Sequence, residues 1–361
     1  MAYACDGGSR CEKGNGTGSV RSPHEIFAGR RCCMRTLEPV LRDLPRVRLI
    51  PSVTPLHPLQ RILRDAAGSP VYIKRDDMTG LGPGGNKLRS LEFILGDALQ
   101  QGADCIIASG PGQSNLCTLA AAACARIGLS CILVVNSEIP ERKEGNLLLD
   151  DLLGARMIYA GNVDSAARTA RVDEEYARLV RAGHHPYIVK NGATTGWGVL
   201  GYTAAAEEIR DQCRAAGIGR LTLFAPGGNG GVAAGLIYGN ALLDQPMDIV
   251  IISVEDEAAV LTDHIEKVLR ETEKITGIPC PKPVGEISRI TDAYRGKGWG
   301  SNTEESAAMV RDFARQEGIF IENIYNSKVL VGMKDWLEKG LIKGPACYLH
   351  TGGFGSLFSQ Y

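Results

Sequence analysis

From residue 71 onward, short apolar runs alternate with segments of helical spacing, and this alternation limits the fold more than any other feature of the chain. VYIKRDD, starting at 71, reads as a strand ending in charge, and CIIAS (105–109), CILVV (131–135), RMIYA (156–160), PYIVK (186–190), RLTLFA (220–225), DIVIISV (248–254) and CYLHTGG (347–353) read as further strands. Between the first two, Leu88, Leu91, Leu95, Ala98 and Leu99 recur at helical spacing. Helices are also predicted over 114–128, 144–154, 165–183, 201–217, 232–243, 258–277, 303–318 and 329–340. Continuous apolar strands separated by helices imply parallel sheets covered on both faces. Ligands of such folds sit at the carboxyl ends of strands, in the loops that follow. The polar, glycine-rich stretch 191–201 is the candidate hinge.

The 361 residues suffice for a large core and two domains. A formal net charge of -1 gives no global field for nucleic acid or an anionic membrane. The apolar runs are too short to span a bilayer. Eleven cysteines, without a Cys-x-x-Cys pair, support neither a zinc site nor a disulfide framework. Cys105, Cys117, Cys124, Cys131 and Cys347 fall in apolar patterns and are expected as buried thiols, which implies a cytoplasmic protein. Residues 1–36 lack apolar periodicity and an h-region, so a disordered tail is expected there rather than a secretory signal.

Three loops carry candidate chemistry. In GPGGNKLRSLEF (82–93), Lys87 stands at a helix entrance framed by glycines, where a ligand can approach; elsewhere a lysine is usually a solvated surface group. In SGPGQSNLCTLAA (109–121), Ser114 and Asn115 open a helix. They can act as simple caps, and the same free N–H groups can bind a carboxylate or phosphate. APGGNGGVAAG (225–235) follows a strand and precedes a helix, forming an anion-binding nest. It is not a P-loop, because no Gly-Lys-Ser/Thr follows.

Together GGNKLRSLEF, GPGQSN and the glycine-rich loop resemble the fold-type II pyridoxal-phosphate enzymes. The likeness is strongest to the 1-aminocyclopropane-1-carboxylate deaminase and D-cysteine desulfhydrase group. NGATTGWGVLGY (191–202), IENIYNSKVLVGM (321–333) and LHTGG (349–353) fall in family order, and the resemblance runs from about residue 38 to the C-terminus. It implies two open doubly wound, mostly parallel sheets, as in the tryptophan-synthase β-subunit. Residues 37–88 and 200–361 would form a large cofactor-binding domain, and 89–199 a small one. It implies pyridoxal 5'-phosphate carried by Lys87, which also moves the α-proton. Asn115 would bond the ring hydroxyl, and Gly228, Asn229, Gly230 and Gly231 would cradle the phosphate. Ser114 and Gln113 would bind the substrate carboxylate or assist proton transfer. Tyr325 would be an acid–base or leaving-group contact.

Three positions depart from that pattern. Val232 stands where relatives often carry a threonine hydroxyl. Trp299, expected to touch substrate, replaces a tyrosine of the deaminases. Asn326 replaces a glutamate that faces the pyridine nitrogen, where a carboxylate keeps the ring a strong electron sink. The resemblance therefore implies a lyase that eliminates a β-substituent from a small amino acid such as D-cysteine, giving pyruvate, ammonia and sulfide. The alternatives are 1-aminocyclopropane-1-carboxylate deamination to 2-oxobutanoate and ammonia, L-cysteate sulfo-lyase chemistry, and a non-catalytic cofactor or amino-acid binder. No metal, nucleic acid or membrane is expected, and the family implies a homodimer.

Overall fold

The computed structural model describes residues 36–64, 68–342 and 344–360. All but the last residue of the expected N-terminal tail lies outside them. The strands form two sheets. The first runs in the order β5-β4-β3-β6 and is wholly parallel, with β3 at Cys105–Pro111, β4 at Ser130–Asn136, β5 at Arg156–Tyr159 and β6 at Pro186–Val189. The second runs β1-β2-β10-β7-β8-β9, with β1 at Leu56–Pro58, β2 at Val71–Arg75, β7 at Leu221–Gly227, β8 at Met247–Ser253, β9 at Ser288–Thr291 and β10 at Ala346–His350. In it only the β1–β2 pair is antiparallel.

The period of two along each strand divides the small sheet's apolar residues between its faces. Ile106, Ala108, Leu133 and Val135 join Leu88, Leu91, Leu116 and Leu119 in one core. Cys105, Ile107, Ile132 and Val134 face Val172 and Leu179 on the opposite side. In the larger sheet Ile73, Phe224, Val250, Ile252 and Tyr348 pack against Phe313, Leu330 and Met333.

The helix Gly196–Ala215 begins five residues before the position expected from the sequence. Its glycines look like loop residues but permit contact between backbones. A Cβ at Gly201 would lie 2.2 Å from the carbonyl oxygen of Arg89, on the helix Lys87–Gln100. Thr195 caps the helix by accepting from the Gly198 N–H. The proposed hinge at 191–201 is therefore a short 3-10 turn at Asn191–Ala193 followed by the first turns of this helix.

A buried ionic network fixes the helix that starts at Lys87. Arg89 donates to Asp76 at 2.7 and 2.8 Å, and to Glu208 at 2.9 and 3.1 Å; Tyr202 donates to Asp76 at 2.7 Å, and Lys74 is paired with Glu208. Burial alone would raise the Asp76 pKa, but the Arg89 guanidinium holds it down at about 2. Each charge has its partner, so removing one would strand the others at a cost of about 3–5 kcal/mol.

Candidate active site

Because the inner strands are parallel, the loops after β3, β4, β7 and β10 emerge at carboxyl ends, where α/β folds place ligands. Those loops line a cleft of about 380 Å³. Lys87, Gln113, Ser114, Asn115, Gly228, Asn229, Gly230, Gly231, Trp299, Tyr325 and Asn326 all line it. Every site residue expected from the sequence is thus brought to one cavity.

Lys87 is the first residue of its helix, and its Nζ donates to the carbonyl of Gly192 at 2.8 Å. Burial pulls its pKa down to about 8. No carboxylate is paired with the amine among the described residues. Such a lysine is a nucleophile and base near neutral pH.

The glycine-rich loop follows β7. Gly230, with φ of 88°, precedes the helix Gly231–Leu242, and no side chain caps that end. Its N–H groups are therefore available to an anion. A Cβ at Gly231 would come within 3.0 Å of Thr194 Oγ1, and one at Gly192 within 2.5 Å of Asn229 Nδ2. The loop at 191–194 thus closes over the nest. Thr194, which sequence reasoning left unassigned, brings a hydroxyl beside Gly231 at the entrance of this helix.

Ser114 Oγ accepts from the Cys117 N–H at 3.3 Å and caps the helix Asn115–Ile127. Asn115 Oδ1 accepts from Asn146 at 2.9 Å, while its Nδ2 makes no hydrogen bond among the described residues and can donate into the cleft. Gln113 accepts from the Asn146 N–H at 2.8 Å and donates one amide N–H to the Glu144 carbonyl at 3.1 Å, so it braces the next helix while its second N–H stays in the lining of the cleft.

Tyr325 packs over the nest, with its Cε1 3.2 Å from where a Gly228 Cβ would stand. Burial pushes its pKa up, and the indole N–H of Trp299, 2.8 Å away, works against that rise. Trp299 therefore acts on Tyr325 as well as lining the cleft. Lys328 holds the preceding loop by donating to the carbonyls of Arg295 at 2.7 Å and Gly298 at 2.9 Å.

Asn326 is more constrained than the sequence suggested. Its Nδ2 donates to Glu322 and to the Gly352 carbonyl, each at 2.8 Å; its Oδ1 accepts from Tyr348 at 2.5 Å, from the Thr351 N–H at 3.1 Å and from Thr351 Oγ1 at 3.2 Å. With both donors used, it holds Glu322 and Thr351 in the wall of the cleft. Glu322 went unnoticed because the expected carboxylate lies four positions later in the deaminases. It accepts from the N–H groups of Ile324, Tyr325 and Asn326, and burial raises its pKa against those bonds.

The phosphate nest, the desolvated lysine and the unspent Asn115 donor fit pyridoxal phosphate. The sequence comparisons agree. Residues 47–352 match the family profile described as pyridoxal-phosphate dependent enzyme. A Pyrococcus abyssi protein provisionally named 1-aminocyclopropane-1-carboxylate deaminase is 34% identical over 324 residues, covering 89% of this chain and 96% of its own. A D-cysteine desulfhydrase of Klebsiella pneumoniae is also 34% identical, covering 89% of this chain and 98% of its own. The crystal structure of a 1-aminocyclopropane-1-carboxylate deaminase homologue superimposes with a TM-score of 0.81 at 34% identity, covering 90% of this chain and 96% of that one. A hydrogen sulfide-producing enzyme from Fusobacterium nucleatum, 16% identical with a TM-score of 0.62, shares the fold; the alignment covers 85% of this chain and 96% of that one. The chain belongs to the pyridoxal-phosphate-dependent enzyme family, in its fold-type II branch.

Proposed function

We propose that this enzyme eliminates the β-substituent of a small amino acid such as D-cysteine, releasing pyruvate, ammonia and sulfide. The carrying observation is the environment of Lys87: an amine with a pKa of about 8, held by a neutral carbonyl and facing both anion-binding loops. It can hold the cofactor and then take the α-proton at Nζ. Ser114 and the first N–H groups of its helix seat the α-carboxylate. Gly228–Gly231 and Thr194 hold the phosphate, and Asn115 donates to the ring hydroxyl. The cofactor, when bound, supplies the electron sink for the α-carbon. Tyr325, with its raised pKa, keeps its proton and can give it to a departing thiolate.

The neutral side chain of Asn326 favours elimination over opening a cyclopropane ring, since a good leaving group demands less of the electron sink. The names of the relatives support both chemistries. A keto-acid assay over D-cysteine, β-chloro-D-alanine and 1-aminocyclopropane-1-carboxylate tests the choice; more 2-oxobutanoate than pyruvate would reverse it. We also propose a cytoplasmic homodimer with a large domain over 37–88 and 200–361 and a small domain over 89–199. The seven described cysteines are all free, which supports a reducing compartment. Among the described residues, no helix is long and apolar enough to cross a membrane.

A further inference from the structure

We propose that Glu255 seats a cationic β-substituent, so that the enzyme also eliminates ammonia from a small 2,3-diamino acid such as 2,3-diaminopropionate. This assignment rests on the elimination reading above, in which Tyr325 faces the leaving group.

Glu255 stands in the loop after β8 and lines the cleft. Its Oε2 lies 3.7 Å from where a Gly228 Cβ would stand, and Tyr325 Cε1 lies 3.2 Å from the same point. The carboxylate and the phenol ring therefore border one another at the start of the glycine-rich loop, and the charge of Glu255 opposes ionisation of Tyr325. The loop that carries Trp299 rests on the same residue. Arg295 donates to the Glu255 carbonyl at 3.4 Å, and a Cβ at Gly298 would be 3.2 Å from that oxygen. The Trp299 indole then reaches the Tyr325 hydroxyl at 2.8 Å. Yet the Glu255 carboxylate makes no hydrogen bond or ion pair among the described residues. Arg295 turns its charge to Glu257, and His264 faces Asp256. The buried acids Asp76 and Glu92, by contrast, are each paired with an arginine. Burial raises the Glu255 pKa, with Asp256 adding to the rise and His264 opposing it, and a cation arriving beside it would reverse that rise. A half-buried carboxylate without a counter-ion, beside the residue that faces the leaving group, is complementary to a cation and acts on it more strongly than in open water.

Charge and size narrow the occupant. The phosphate belongs at the helix entrance Gly230–Gly231, where the N–H groups are uncapped, and an anion beside Glu255 would be repelled. A cleft of about 380 Å³ that also takes the cofactor leaves room only for a short side chain. An ammonium on the β-carbon meets both limits. The same carboxylate serves the departure of that group. An amine leaves readily only as an ammonium, because otherwise it would depart as an amide ion. The α-amine, when charged, disfavours a second positive charge close by, and Glu255 favours it. Lys87 takes the α-proton at Nζ, and the Cα–H pair becomes the Cα=Cβ bond. The Cβ–N bond breaks with its electron pair on nitrogen, releasing neutral ammonia. Water then converts the enamine to pyruvate and a second ammonia.

The test compares holoenzyme turnover of 2,3-diaminopropionate, in both enantiomers, with that of β-chloroalanine, which has an uncharged β-substituent. Wild type should release twice as much ammonia as pyruvate from the diamine. Glu255→Gln should lower the ratio of kcat/KM for the diamine to that for β-chloroalanine by at least about 30-fold. Glu255→Asp should keep part of the wild-type ratio. Wild type that consumes β-chloroalanine but not the diamine, or an unchanged ratio in Glu255→Gln, would overturn the assignment. Tighter cofactor binding by Glu255→Gln at an unchanged ratio would turn the carboxylate toward the phosphate instead. Calorimetry on borohydride-reduced holoenzyme, in which no amine can displace Lys87, separates this idea from the elimination reading. Wild type should bind 2,3-diaminopropionate at least about tenfold more tightly than 2-aminobutanoate, where a methyl group replaces the β-ammonium. Glu255→Gln should lose that preference, even if no amino acid is turned over. Equal wild-type affinities for the two compounds would refute the seat.

Discussion

The Nζ of Lys87 donates to the carbonyl of Gly192 at 2.8 Å, joining the entrance of one helix to the turn that precedes another. A carbonyl satisfies the amine without fixing its charge as a carboxylate would. Burial then prevails, and the pKa falls to about 8. In the cofactor-free protein, acylation of Lys87 followed by peptide mass spectrometry should titrate near pH 8. Surface lysines should titrate near their ordinary value of about 10.4. A Lys87 midpoint with the surface group would contradict the desolvated amine. Lys87→Ala should abolish turnover while the melting temperature stays within a few degrees, since a buried amine without an ionic partner contributes little to stability.

The phosphate nest gives a separable test. Gly230→Val combines a positive φ with a Cβ 3.1 Å from Ile265, so it costs stability as well as binding. Thr194→Val is the cleaner change. It should weaken cofactor binding by about tenfold, the worth of one hydrogen bond to a charged group. Cofactor-free melting should hardly move. Unchanged affinity in both variants would place the phosphate elsewhere.

Trp299 is 46% exposed, so its replacement leaves the core intact. Its indole N–H stabilises the ionised form of Tyr325, and Trp299→Phe removes that donor. The Tyr325 pKa should rise further, moving any alkaline limb of the kcat profile to higher pH, with kcat lowered about three- to tenfold. An unaltered profile would reduce Trp299 to a wall of the cleft.

Asp150 is fully buried, and neither oxygen has a good hydrogen-bond partner; Thr118 gives only a loose contact. Burial raises its folded pKa to about 7, above the unfolded value of about 3.9. Between these values the unfolded chain releases the proton while the folded chain keeps it, so stability falls as pH rises through that window. Asp150→Asn should therefore stabilise the protein at pH 8 by on the order of 1–3 kcal/mol, and by much less at pH 4.5. Equal offsets in melting temperature at the two pH values would refute this origin.

The sheets were legible because their strands are long apolar runs with clear boundaries: 105–109 and 131–135 lie inside β3 and β4. The short β1 and β9 were missed, since LHP and SRIT form no apolar run of the kind that marked the equally short β5 and β6. The helix at 196 was hidden by glycines that serve close packing, a tertiary reason invisible in local sequence. The helix Asn326–Glu338 starts three residues before the expected position, because the Glu322 carboxylate receives the N–H groups at its entrance. Lys87, Ser114 and the nest were visible as motifs. Glu322 and Thr194 were not: Glu322 works through backbone N–H groups that no side-chain motif marks, and Thr194 through the distant glycine loop.

Asn326 decides how the reaction choice can be probed. Its Nδ2 is 2.8 Å from Glu322, so Asn326→Glu would set a second carboxylate against a buried one. That variant should lose stability and is a poor reporter of the cofactor ring. The direct measurement is product analysis on the wild-type holoenzyme, with D-cysteine and 1-aminocyclopropane-1-carboxylate supplied separately and borohydride used afterwards to fix the cofactor for peptide mapping. The account predicts pyruvate and sulfide in equal amounts from D-cysteine, with kcat/KM well above that for the cyclopropane substrate, and the label on the peptide containing Lys87. Faster release of 2-oxobutanoate, or a label on any other lysine, would contradict it.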